Sequence, residues 1–139
     1  MTTARPRSRS RARWAPYAAL AGVIGAAGFV ALVDPGEPGH YPTCPFLALT
    51  GYHCPGCGSL RMIHALTHGH VAEAFGRNPL VFATLPLLGY LWVRWAAAAR
   101  QGRPLQAKIV NPSAIIVFAL ITLVFWLVRN LPFAHALAP

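Results

Sequence analysis

Acidic side chains are almost missing from this chain: of 139 residues only Asp34, Glu37 and Glu73 carry a carboxylate. General acid–base catalysis by paired carboxylates is therefore not expected. Charged residues of either sign make up 11%, where a soluble globular chain carries roughly 25%. No glycine-rich phosphate loop, no serine-centred triad and no internal repeat is present. Thiols are scarce too. Cys44, Cys54 and Cys57 are the only three, and they fall within fourteen residues of one another.

Apolar residues are abundant. The chain is 55% hydrophobic with a mean hydropathy of +0.46, which points to a membrane protein of a single domain. Net charge is +9, from 12 Lys and Arg residues. A basic balance can signal nucleic-acid binding, but no aromatic residues interleave with Arg5, Arg7, Arg9, Arg11 and Arg13, so no nucleic-acid partner is expected.

Three runs are long and apolar enough to cross a bilayer. Tyr17 to Val33 is uncharged over 17 residues, and at ~1.5 Å per residue it just spans the hydrocarbon core. Leu80 to Ala99 is broken only by Arg94, which lies near one end and can snorkel. The third run starts at Asn111-Pro112 and ends before Arg129-Asn130-Leu131-Pro132. Asn78-Pro79 and Asn111-Pro112 both have the form of a helix start, with Asn as cap and Pro in the first turn.

Nine of the 12 basic residues lie in the N-terminal tail or near the second break, at Arg94, Arg100, Arg103 and Lys108. The positive-inside rule then places both regions in the cytoplasm. The expected organisation is a basic cytoplasmic tail (1–14), a first span (15–33), an outward loop (34–78), a second span (79–99), a basic cytoplasmic loop (100–111), a third span (112–129) and an outward tail (130–139). This is an all-α, multi-pass plasma-membrane protein with its N-terminus inside, its C-terminus outside and its thiols on the oxidising side. The first run is longer than a signal-peptide core and lacks a small-x-small cleavage site, so an uncleaved anchor is expected. Small residues recur along it at Ala18, Gly22 and Ala26, a spacing that permits close helix approach to a membrane-protein partner or a second copy.

The outward loop carries the chemistry. Phe46 to Tyr52 forms a short apolar element. In His53-Cys54-Pro55-Gly56-Cys57-Gly58, Pro55 fixes φ and Gly56 is expected to supply a positive φ, turning two thiols to one point. Ser59 is the expected N-cap of a helix over 59–68 that Gly69 ends, and Val71 to Phe75 makes a second short helix. On the first of these helices Cys57, Arg61, His64 and His68 share one stripe. A thiol at a helix N-terminus beside a guanidinium is expected to be the most acidic of the three.

Three chemistries fit these thiols. A soft metal such as zinc could be held by Cys44, Cys54 and Cys57 with His53 or His64 as the fourth ligand, supported by Arg61, Gly56, Gly58 and His68. The Cys54–Cys57 pair could exchange electrons with Cys44 as the resolving thiol, although no thioredoxin-like pattern surrounds it. A disulfide from Cys44 could pin the loop, contributing roughly 2–3 kcal/mol, as the contact surface of an accessory subunit. The metal-binding, non-enzymatic module leads, with the bilayer as its expected partner.

Cys44-Pro45, Thr50-Gly51-x-x-Cys54-Pro55-Gly56-Cys57-Gly58-x-x-Arg61, then Gly69, Ala74 and Asn78-Pro79 together resemble a family of small bacterial membrane proteins, known as domain of unknown function 2752. The resemblance extends over about residues 41–132, to Arg129-Asn130-x-Pro132. Leu60 and His70 depart from it, where the family tends to have a threonine and an acidic or amide residue. It implies a multi-pass membrane protein with a cysteine motif and brings no activity.

Overall fold

In the computed structural model, residues 9–37, 39–103 and 111–132 are described. Lys108, the first eight residues and the tail 133–139 lie outside them. Six helices follow one another: α1 (Arg9–Leu32), α2 (Pro45–Thr50), α3 (Ser59–Thr67), α4 (Val71–Arg77), α5 (Pro79–Arg100) and α6 (Pro112–Arg129). There is no strand among the described residues. Three of the helices, over Arg13–Leu32, Pro79–Arg100 and Pro112–Arg129, are long and apolar enough to cross a membrane.

Their ends follow from local chemistry. Asn78 caps α5 by accepting from the Val81 N–H at 3.1 Å, and Asn111 caps α6 by accepting from the Ala114 N–H at 2.7 Å. Pro at the first helical position costs neither helix a hydrogen bond. The cap of α3 lies one residue earlier than expected: Gly58 is the N-cap, at φ 82°, and Ser59 is already helical. The left-handed residue of the knuckle is thus Gly58 and not Gly56, which is absent from the positive-φ glycines. A side chain at Gly56 would meet only the Cys54 Sγ, at 3.8 Å. Gly69, at φ 79°, ends α3 as expected.

α3 and α4 form a short hairpin lying against α1 and α5. Its apolar stripe makes a small core of Met62, Ala65 and Ala74, closed by Ile63, Leu66, Val81, Phe82 and Leu85. The small side chains at 65 and 74 let the two helices approach closely. α1 and α5 run together, and the Trp92 Nε1–H donates to the Pro16 carbonyl at 2.9 Å across them. Gly22, in the small-residue stripe, and Gly25 beside it have open space where a side chain would stand, so no helix among the described residues packs on them. α6 makes no extended contact with the other helices and is attached at its C-terminal end. There Phe46 meets Trp126 edge to face at 6.1 Å, and Asn130 reaches back to the loop. Large apolar side chains along α6, among them Ile115, Ile116, Val117 and Leu120, are exposed.

Candidate functional site

The knuckle closes through local turns. The Cys57 N–H donates to the Cys54 carbonyl at 3.1 Å, the Ser59 N–H to Gly56 at 3.1 Å and the Met62 N–H to Gly58 at 2.8 Å. Cys54 and Cys57 end with their sulfurs 3.2 Å apart. Cys44, the residue before α2, brings its Sγ to 3.6 Å from that of Cys54. All three sulfurs lie within 4.8 Å of one another, and all are free thiols. A tetrahedral ion with bonds of ~2.3 Å needs sulfurs roughly 3.8 Å apart, so the spacing suits a single ion.

Two asparagines hold this arrangement. Asn78, wholly buried, donates from Nδ2 toward the carbonyls of Pro55 (3.0 Å) and Cys57 (3.1 Å) and toward the Ser59 hydroxyl (3.2 Å). Two amide hydrogens serve three acceptors, while Oδ1 caps α5. Asn130 accepts from the His53 N–H at 2.8 Å and donates to the His53 carbonyl at 2.9 Å and to that of Trp126 at 2.8 Å. Sequence reasoning assigns Asn78 to a helix start and Asn130 to a helix end. Their second role, gripping the knuckle backbone from both sides, has no local signature.

The two candidate histidines part company. His53 lines an open groove of about 660 Å³ together with Cys44, Cys54, Cys57 and Arg61. Its Nδ1 is buried and has no hydrogen-bond partner among the described residues. His64 instead turns to α1, where its Nδ1 lies 2.8 Å from the Val30 carbonyl. It stacks on His68 at 4.4 Å between ring centroids, and His68 Nδ1 contacts the His64 carbonyl at 2.8 Å. Both line a separate groove with Asp34, His70 and Glu73. No ring nitrogen joins the group of three sulfurs among the described residues. Arg61 lies between the two grooves.

The order of thiol acidity is the reverse of that expected from the helix N-terminus. Burial pushes the Cys57 thiol up to about 12, reinforced by hydrogen bonding with Cys54 and Cys44. Arg61 is not among the leading influences on it. Cys44 is lowered, chiefly because the Leu47 N–H points at its sulfur, with help from the Cys54 and Cys57 thiols and the Phe46 N–H. Desolvation outweighs the helix end at Cys57, since Gly58 stands between that residue and the helix.

Residues 44–92 match the family described as protein of unknown function (DUF2752). The chain resembles that family over α2, the knuckle, α3, α4 and the first part of α5. The match begins at Cys44 and stops at Trp92, short of Arg129-Asn130-x-Pro132. No curated protein and no solved structure matches the chain.

Proposed function

We propose that this chain is a multi-pass membrane protein whose outward loop holds one soft metal ion on Cys44, Cys54 and Cys57. The observation that carries the reading is the convergence of three sulfurs from two separate segments, with Cys54 in contact with both others. Cys54 and Cys57 come from one tight turn, but Cys44 comes from ten residues upstream, and nothing local requires it to be there. Of the two imidazoles His53 is the better suited to complete the set: it adjoins Cys54 in the chain, lines the same groove as the thiols, and its buried Nδ1 has no partner among the described residues, so its ring would turn toward the sulfurs on binding. His64 has its Nδ1 on the Val30 carbonyl and lines the other groove. The bilayer covers the apolar flanks of α1, α5 and α6, and the basic residues near the ends of α1 and α5 hold those ends in the cytoplasm.

Metal analysis of anaerobically purified protein, with a free-thiol count, tests this. One ion per chain and protected thiols are expected, and each Cys→Ser change should release the ion. Three titratable thiols with no ion would sink the metal reading. That outcome favours thiol–disulfide exchange, with Cys44 as the attacking thiol, because it is the sulfur whose acidity is raised.

A further inference from the structure

Arg129 is the least explained residue of the molecule. It ends α6, is only 2% exposed, and its Nε, Nη1 and Nη2 have no hydrogen-bond partner among the described residues. A guanidinium keeps its charge in a protein and offers five N–H donors. Left unpaired in the interior, such a charge costs several kcal/mol. The Phe125 ring, 5.5 Å from the guanidinium carbon, covers one face without supplying an acceptor or a counter-charge. The negative end of the α6 dipole offers a partial charge at most.

No side-chain carboxylate among the described residues serves it. The chain has three, and each is used elsewhere: Glu73 by Arg77 at 2.9 Å and by His70, Glu37 by His40 and Asp34 by the Gly36 N–H at 2.7 Å. The next residue, Asn130, is bonded to both the N–H and the carbonyl of His53, the residue before Cys54, so the chain end that carries the guanidinium is docked on the cysteine knuckle; the charges that bear on it are those of Cys57 and Cys54. The Asn130–His53 bonds hold the end of α6 at this place, next to the knuckle.

Resting on the metal reading above, we infer that Arg129 is the built-in counter-ion of a tris-thiolate complex, and that the occupant is therefore a soft divalent cation of the zinc class. Three thiolates around a divalent ion leave a single net negative charge, which one guanidinium neutralises; a neutral imidazole from His53 changes nothing in this balance. A monovalent cuprous ion would leave one negative charge uncompensated in a half-buried site. Arg129 is a positioning residue, acting on the ion through the sulfurs.

The test uses the full chain in detergent, reduced and metal-free, titrated with Zn²⁺, with Co²⁺ as a spectroscopic probe and with Cu⁺ in a parallel titration. Wild type should bind one Zn²⁺ and show the sulfur-to-cobalt charge-transfer band. Arg129→Met should bind Zn²⁺ roughly 10–100-fold more weakly and shift the cobalt band. Metal-free Arg129→Met should melt at or above metal-free wild type, because an unpaired buried charge has gone, while gaining less from zinc. A residue that merely fills space would not produce these opposite signs. Arg129→Lys should retain binding within a few-fold. Equal zinc affinity of wild type and Arg129→Met, or Arg129→Lys as weak as Arg129→Met, overturns the counter-ion role. Tighter retention of Cu⁺ than of Zn²⁺ by wild type overturns the charge balance and leaves the metal site standing. No ion bound by wild type overturns the site itself, before any variant is compared.

Discussion

Three chemically identical thiols acquire different characters here because each meets different donors and a different degree of burial. Cys44 faces the Leu47 N–H and is lowered, whereas Cys57 is desolvated and raised to about 12. In reduced, metal-free protein, alkylation near pH 8 should therefore strike Cys44 first, roughly tenfold or more ahead of Cys57. Single-cysteine variants followed by mass spectrometry measure this, and Cys57 outrunning Cys44 would contradict it. The linkage signs differ as well. For Cys57 the folded value lies above its ordinary 9.0, so its contribution to stability is complete below that pH and lost as pH rises toward about 12. For Cys44 the folded value lies below the ordinary one, so its contribution is present at high pH and lost as pH falls through the lowered value. Asn78 separates backbone support from helix capping. Asn78→Asp keeps an oxygen for the Val81 N–H but removes the donors to Pro55, Cys57 and Ser59. It should destabilise the loop by about 1–3 kcal/mol and weaken zinc binding, with α5 intact by circular dichroism. Unchanged zinc affinity would show that the grip on the knuckle is unimportant.

Among the elements, α6 is attached by its tip alone. Phe46 against Trp126 and the Asn130–His53 bonds are its links to the loop, and they dock the end of α6, with Arg129, on the knuckle. The α3–α4 hairpin holds the opposite side of the knuckle through its small core and through His64 on the end of α1. Asn130→Ala should unhook α6 at a cost of about 1–3 kcal/mol for the two lost bonds. Faster amide exchange at His53 to Cys57, with total helix content unchanged, is the expected signature. Exchange rates equal to wild type would mean that the hook carries no load. The space at Gly22 and Gly25 is a feature of α1 that no helix among the described residues fills.

Over the whole molecule, three apolar helices and a thiol-bearing loop imply one sidedness. Reporter fusions at Gln101 and at the C-terminus should give opposite signals, cytoplasmic at 101 and extracytoplasmic at the end. A C-terminal reporter active only in the cytoplasm would reverse the assignment and place the thiols on the reducing side. With the loop outside, as proposed, the thiols would face an oxidising environment, where the proposed ion would protect them from pairing with one another.

Composition alone was enough for the all-helical, three-span character, because apolar run length and Asn-Pro starts act within a few residues of chain. The Cys54–Cys57 pair was legible for the same reason, since Pro55 and the glycines around Cys57 favour a turn whatever the rest of the chain does, whereas the arrival of Cys44 beside Cys54 depends on how α2 packs. Which glycine takes the left-handed turn was not legible, since Gly56 and Gly58 are equally permissive and the entry angle of α3 selects Gly58. The acidity order was missed because it depends on burial by distant segments, which outweighs a helix end one residue away. The stripe of Cys57, Arg61, His64 and His68 was a fair helical inference. Only the packing of α3 on α1 turned His64 to Val30, while His53 lines the groove that holds the cysteines. Asn78 and Asn130 acquire their second roles through contacts 21 and 77 residues away along the chain. Such contacts are created by helix docking, and no local pattern of residues encodes them.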